Sequence, residues 1–194
     1  MRGRVGLLGG TFDPPHSGHL IMAQTSLEVL GLERVILLPA PRPPHKSGND
    51  LSSHSDRLEM ASVASEGIDG VEVSNMESAH DGPSFTVDTL RACRDRYGSG
   101  LYFIMGADSL RDLPSWRDPE SILNLCTLVV FPRDDIPARL EVSGDASLIV
   151  FESPRIDVSS TELRKRIARG EAVTDAIPGD VMAWIDGKGL YRRQ

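Results

Sequence analysis

Arg4-Val5-Gly6-Leu7-Leu8-Gly9-Gly10-Thr11-Phe12-Asp13-Pro14-Pro15-His16-Ser17-Gly18-His19 opens the chain's first structural unit. Arg4–Leu8 is a short apolar run that reads as a buried strand, and the paired glycines behind it allow a tight turn. From Gly18 to Leu30 the pattern is helical, with Leu20, Ala23, Leu27 and Leu30 on one stripe. A strand, a glycine-bearing loop and a helix in immediate succession form half of a βαβ unit, and the rest of the chain repeats the alternation.

Arg34–Leu38 is a second β-rich run, closed by Pro39 and followed by the loop Pro39-Ala40-Pro41-Arg42-Pro43-Pro44-His45-Lys46. A helix is expected over Ser55–Ser65 with Leu58, Ala61 and Val63 inward, then a weak strand at Val71–Ser74. Ser84 is placed to cap a helix running to about Tyr97 and ended by Gly98. Leu101–Met105 reads as a buried strand running into Gly106-Ala107-Asp108, with Asp108 able to cap a short helix. Asp118–Leu125 is a short helix, and Thr127–Phe131 and Leu148–Phe151 are strands. The segment Pro132 to Gly144 reads as a surface loop. Ser159 and Glu162 stand at capping-box spacing before a helix ending near Gly170, and Pro178 begins a last helix carrying Val181, Met182 and Ile185. Strands separated by such helices predict an α/β fold: a Rossmann-like, doubly wound parallel sheet flanked by helices. Ligands of such sheets sit beyond the carboxyl ends of the strands, where strand order reverses.

The 194 residues suit one domain, expected to span 1–194. Apolar residues at 40% and charged residues at 25% are ordinary for a globular chain. No apolar run approaches the roughly 20 residues that cross a bilayer. The basic start is too short for a signal peptide, so the expected compartment is the cytoplasm and no membrane partner is expected. Cys93 and Cys126 make neither a disulfide framework nor a zinc pattern, and no resident metal is expected. The net charge of −7 argues against a protein that coats long nucleic acid. The charge is uneven: residues 1–154 hold 13 basic and 22 acidic side chains, and 155–194 hold 8 and 6. Oligomeric state is left open, a homo-oligomer included.

Two motifs carry chemistry. His16 and His19, three apart at a helix start, place two imidazoles on one face. The unpaired N–H groups and partial positive charge of that helix end add an anion site fit for a polyphosphate. Gly18 between them removes a side chain that would crowd the ligand. The blander readings are a plain Gly-Gly turn and a capping histidine. There is no Walker A loop and no G-x-G-x-x-G here. The second motif is Val158-Ser159-Ser160-Thr161-Glu162-Leu163-Arg164. One hydroxyl, expected to be that of Ser159, is a simple cap; three in a row with Arg164 one turn on make a second anion cradle. Lys165, Arg166 and Arg169 read as solvated helix charges.

Gly10-Thr11-Phe12-Asp13 with His16-x-Gly18-His19 resembles the signature of the nucleotidyltransferases related to class I aminoacyl-tRNA synthetases, and Val158 to Arg164 resembles their I-S-S-T-x-x-R motif. Four further blocks resemble one branch, the bacterial nicotinate-nucleotide adenylyltransferases, over about residues 4 to 192. These are Pro43-Pro44-His45-Lys46, Ser84 to Leu90, Phe103 to Ser109 and Leu113-Pro114-Ser115-Trp116. Tyr191 also falls where that family ends in a Leu-Tyr pair. Phe85 stands where the family usually has Tyr, His80 where Arg is common, and Pro132-Arg133 departs from its usual order, so Arg133 is given no role.

The resemblance implies transfer of the adenylyl group of ATP to nicotinate mononucleotide, releasing pyrophosphate. His16, His19, Lys46 and Arg164 would be catalytic. Gly9, Gly10, Thr11, Phe12, Gly18, Ser159, Ser160 and Thr161 would bind ATP and its phosphates. Thr86, Asp108, Trp116 and His45 would bind the mononucleotide, with Gly106 and Asp108 at the ribose. Mg²⁺ would arrive with ATP. The rivals are a phosphopantetheine adenylyltransferase, which shares both phosphate motifs, a cytidylyltransferase, and a non-catalytic nucleotide-binding module on the same scaffold.

Overall fold

The computed structural model describes residues 3–43, 51–79, 82–132, 148–152 and 157–192. Among them are six strands, β1 (Val5–Gly10), β2 (Arg34–Pro39), β3 (Val71–Val73), β4 (Leu101–Gly106), β5 (Thr127–Phe131) and β6 (Leu148–Val150). Every pairing is parallel, and the order is β3-β2-β1-β4-β5-β6. Strand order reverses between β1 and β4, so the switch point lies beyond Gly10 and Gly106. The helices are α1 (Ser17–Leu30), α2 (His54–Ser65), α3 (Thr86–Tyr97), α4 (Ala107–Asp112), α5 (Pro119–Leu125), α6 (Ser160–Ala168) and α7 (Gly179–Lys188).

The four central strands, β1, β2, β4 and β5, are nearly continuous apolar runs because both faces are covered. Alternate residues feed two cores. Leu7, Ile36, Leu38, Phe103, Met105, Leu128 and Val130 pack against α3, α4 and α5. Leu8, Val35, Leu37, Ile104, Val129 and Phe131 pack on the other face against Met22 and Ala23 of α1. A third cluster joins Met60 and Ala64 of α2, Leu163 and Ile167 of α6, and Val181 and Ile185 of α7. This last cluster brings the chain's end back to its beginning.

Several local expectations change. In α1 the buried positions are Gly18, Met22, Ala23 and Ser26, while Leu20 leans toward the third cluster, because one flank of the helix faces the sheet and another faces the residues that α2, α6 and α7 pool. In α2, Leu58 and Val63 are only half-buried; the inward face is Arg57, Met60, Ala61 and Ala64. The cap of α3 is Phe85, not Ser84, whose backbone N–H is drawn to Arg42 O. Gly106, not Asp108, precedes α4. Ser159 does stand at the N-cap of α6 but makes no capping bond through its hydroxyl; Glu162 turns instead to Arg169 and Lys165. Of the expected loop Pro132 to Gly144, residues 133 onward lie outside the described residues, as do His45 and Lys46.

Candidate active site

Gly9 and Gly10 do not make the expected turn. They extend β1, paired with Leu38 and Pro39 of β2. Their small size serves close approach: a Cβ on Gly9 would stand 3.3 Å from the Phe103 ring, and one on Gly10 3.1 Å from the Phe12 ring. The turn comes later, at Thr11–Pro14, where Phe12 takes a left-handed φ of 52°. Phe12 is buried in the core and lies with its ring centroid 4.7 Å from that of His19. Its side chain backs the site rather than lining it.

His16 precedes α1 in extended conformation and His19 sits in its first turn. Their ring centroids are 3.8 Å apart, as the three-residue spacing predicts. The His16 backbone N–H donates to His19 Nδ1 at 3.2 Å. That assigns Nδ1 as acceptor, so in the neutral ring Nε2 holds the proton and is the donor.

The loop carrying these rings is pinned by a buried network. Asp13 is wholly buried. Its Oδ1 accepts from the Tyr191 hydroxyl at 2.6 Å and its Oδ2 from the Ser52 N–H at 3.4 Å. Arg164 Nη1 donates to the Asp13 carbonyl at 2.7 Å and stands 3.8 Å from Oδ2. Ser160 Oγ donates to the Pro14 carbonyl at 2.9 Å. The two motifs, 146 residues apart, are therefore bonded directly. Arg57, 2% exposed, donates from Nη1 to the carbonyls of Thr11 and Ala40, both at 2.8 Å, and from Nε to that of Ser52. Burial lowers the Arg57 guanidinium from its ordinary value, and the nearby Asp13 carboxylate opposes that shift. Burial, then the Asp13 charge, pushes the Tyr191 hydroxyl up, so it stays a donor.

A cleft of about 760 Å³ opens at the switch point. Gly9, Gly10, Thr11, His16 and His19 line it from the β1–α1 side, and Ser159, Ser160 and Thr161 from the start of α6. Gly106 and Asp108 reach it from the end of β4 and the start of α4, Thr86 from the start of α3, and Trp116 from the end of the short 3-10 turn Leu113–Ser115 that precedes α5. Trp116 stands edge-on to Phe103, with centroids 6.2 Å apart. Gly18 is buried in α1 and Arg164 is turned to Asp13; neither lines the cleft. Lys165, Arg166 and Arg169 stay outside it in ion pairs with Glu162, Asp175 and Glu171.

Sequence reasoning missed Arg57 and Tyr191 as site residues and gave Asp13 no role. Arg57 did leave a signal: it shares a helical stripe with Ala61 and Ala64, and a cation on a buried face demands partners.

A family model described as cytidylyltransferase-like matches residues 7–166. A "Probable nicotinate-nucleotide adenylyltransferase" of Roseiflexus sp. is 42% identical over 194 residues, 97% of this chain and 98% of that one. The chain belongs to this nucleotidyltransferase family. Another member, of the same printed name, from Gemmatimonas aurantiaca is 38% identical, covering 97% of this chain and 92% of its own. The family's fold is matched in a solved structure, Plasmodium falciparum nicotinic acid mononucleotide adenylyltransferase complexed with NaAD. Its TM-score is 0.80 at 19% identity, covering 96% of each chain. In this nucleotidyltransferase, no helix among the described residues is long and apolar enough to cross a membrane.

Proposed function

We propose that this chain joins nicotinate mononucleotide to the AMP half of ATP, giving deamido-NAD and pyrophosphate. The observation that carries the reading is the meeting of two anion cradles, His16/His19 at the start of α1 and Ser159–Thr161 at the start of α6, in one cleft at the switch point. Family membership supports the choice of acceptor.

A phosphate oxygen of the mononucleotide attacks the ATP α-phosphorus in line. One P–O bond forms as the bond to the departing pyrophosphate breaks, and no covalent enzyme intermediate is needed. The second ionisation of a phosphate monoester lies at about pH 6, so the nucleophile needs no general base. Catalysis is positioning and charge neutralisation. His19 Nε2–H and the His16 ring donate to the α/β oxygens, while Lys46 steadies the pyrophosphate. Arg164, turned onto Asp13 rather than into the cleft, holds the loop that carries the two histidines. Gly9, Gly10, Thr11, Ser160 and Thr161 offer backbone and hydroxyl groups. Trp116 stacks on the pyridine ring, Thr86 and adjacent amides take its carboxylate, and Asp108 beside Gly106 takes ribose hydroxyls; His45 is a further candidate for the mononucleotide. Mg²⁺ would arrive with ATP and supply charge neutralisation at the phosphates; Asp108 and Asp112, carboxylates that line the cleft, would be suited to its coordinated waters. The protein is read as one cytoplasmic domain.

The test is pyrophosphate release by purified protein with ATP, magnesium and either nicotinate mononucleotide or phosphopantetheine. Release only with the first is expected. Release only with phosphopantetheine makes the chain the rival transferase, and release with neither makes it a binding module.

A further inference from the structure

Arg117 has no role in the reading above, yet it is the only arginine or lysine among the described residues that line the cleft. It does so beside Thr86 and Trp116. The charged side chains lining the cleft are otherwise acidic: Glu77, Asp108 and Asp112. Burial raises the Glu77 carboxyl from its ordinary value and Asp108 pairs with Arg111 at 3.7 Å, which offsets part of the acidic lining, but that lining offers an acidic ring substituent no favourable charge.

The guanidinium is held ready rather than locked. Its carbon lies 4.7 Å from the centroid of the Phe85 ring, a cation–π contact that keeps the planar group at the cleft wall. Its Nη1 is 3.3 Å from Asp88 Oδ2, in an ion pair whose side chains are 57% and 47% exposed. Pairs that exposed are worth little, so exchanging this partner costs little. Asp88 would not be stranded by the exchange, because its Oδ1 also pairs with Arg91 at 3.3 Å. Arg91 in turn holds Asp118 at 2.9 Å, and Asp118 caps α5 directly after Arg117. The backbone beside Arg117 is thus anchored while its side chain can turn.

We infer that Arg117 is a specificity-determining residue whose guanidinium meets the carboxylate on the substrate's pyridine ring and favours the acid over the amide form of the mononucleotide. The inference rests on the adenylyl-transfer reading. A planar fork of N–H donors matches a carboxylate bidentately, whereas a neutral carboxamide offers one acceptor oxygen and no charge.

The experiment measures kcat and KM for nicotinate and nicotinamide mononucleotides, and KM for ATP, in wild type, Arg117→Gln and Arg117→Lys. In Arg117→Gln, kcat/KM for the acid falls about tenfold or more, the scale of one charge-assisted hydrogen bond, through KM. The amide's kcat/KM and the KM for ATP hold, so the acid-to-amide ratio collapses. Arg117→Lys, which keeps the charge without the fork, recovers part of it. A ratio unchanged in Arg117→Gln, whether both substrates weaken together or neither does, overturns the role given to Arg117 and leaves the adenylyl-transfer reading standing. Wild type inert with both mononucleotides overturns that reading and this inference with it.

Discussion

Replacing Tyr191 by Phe deletes one oxygen and keeps the ring packed against the third cluster. The deleted hydroxyl is the donor to Asp13 Oδ1 at 2.6 Å, inside a carboxylate with no solvent exposure. A hydrogen bond to a charged group contributes about 1.5–3 kcal/mol, and leaving the buried acceptor unmet costs on that scale. For a chain of this size the loss lowers Tm by roughly 3–12 °C. Urea unfolding should show a lower midpoint with unchanged slope, since the surface exposed on unfolding is the same. A pH series adds a second signature. The tyrosine hydroxyl is raised in the folded protein from an ordinary value of 10.0. Its contribution is fully present below that value and is lost as pH rises above it, because the unfolded chain sheds the proton while the folded one keeps it. Wild type should therefore lose about 1.4 kcal/mol per pH unit above pH ~10 relative to Tyr191→Phe, and the gap between them should close. Tyr102→Phe is the control: its hydroxyl accepts from Arg4 at the surface, and the change should stay within about 0.5 kcal/mol. Tyr191→Phe as stable as wild type at pH 7 would refute the claim that this hydroxyl holds Asp13.

Arg57→Met strands four carbonyls, those of Thr11, Ala40, Pro41 and Ser52, and the Asp13 charge together, and should destabilise by about 3–5 kcal/mol in urea unfolding. His19→Ala should cut turnover about 100-fold or more while stability changes by no more than about 1–2 kcal/mol, read by single-turnover kinetics beside a melting curve. Burial pushes the Cys93 thiol up to about 11 and that of Cys126 up to about 12, so a thiol reagent at pH 8 should label neither until the protein is denatured.

The sheet was legible because its strands are buried on both faces: Val35–Leu38 and Leu101–Met105 carry their assignment in composition alone. The histidine pair was legible because a fixed spacing at a helix start fixes a shared face. Helix starts were harder. Ser84 and Ser159 have the residue type of a cap, but tertiary bonds claim the backbone of the first, and Glu162 of the second's capping box turns to Arg169 and Lys165. The Asp13–Arg57–Tyr191–Arg164 network was hidden for a different reason. Tyr191 lies 178 residues from Asp13, and no local pattern reports a contact of that range. It exists because α2, α6 and α7 share one apolar cluster, which folds the chain's end onto the loop that carries the histidines.

The central claim is that the two anion cradles meeting in this cleft perform adenylyl transfer to a pyridine mononucleotide. Its most direct measurement is the product formed from ATP, magnesium and nicotinate mononucleotide, followed by chromatography with pyrophosphate counted in parallel. The account predicts a dinucleotide and pyrophosphate in equal amounts, and neither from His19→Ala over the same interval. Pyrophosphate without dinucleotide, or undiminished product from His19→Ala, would contradict it.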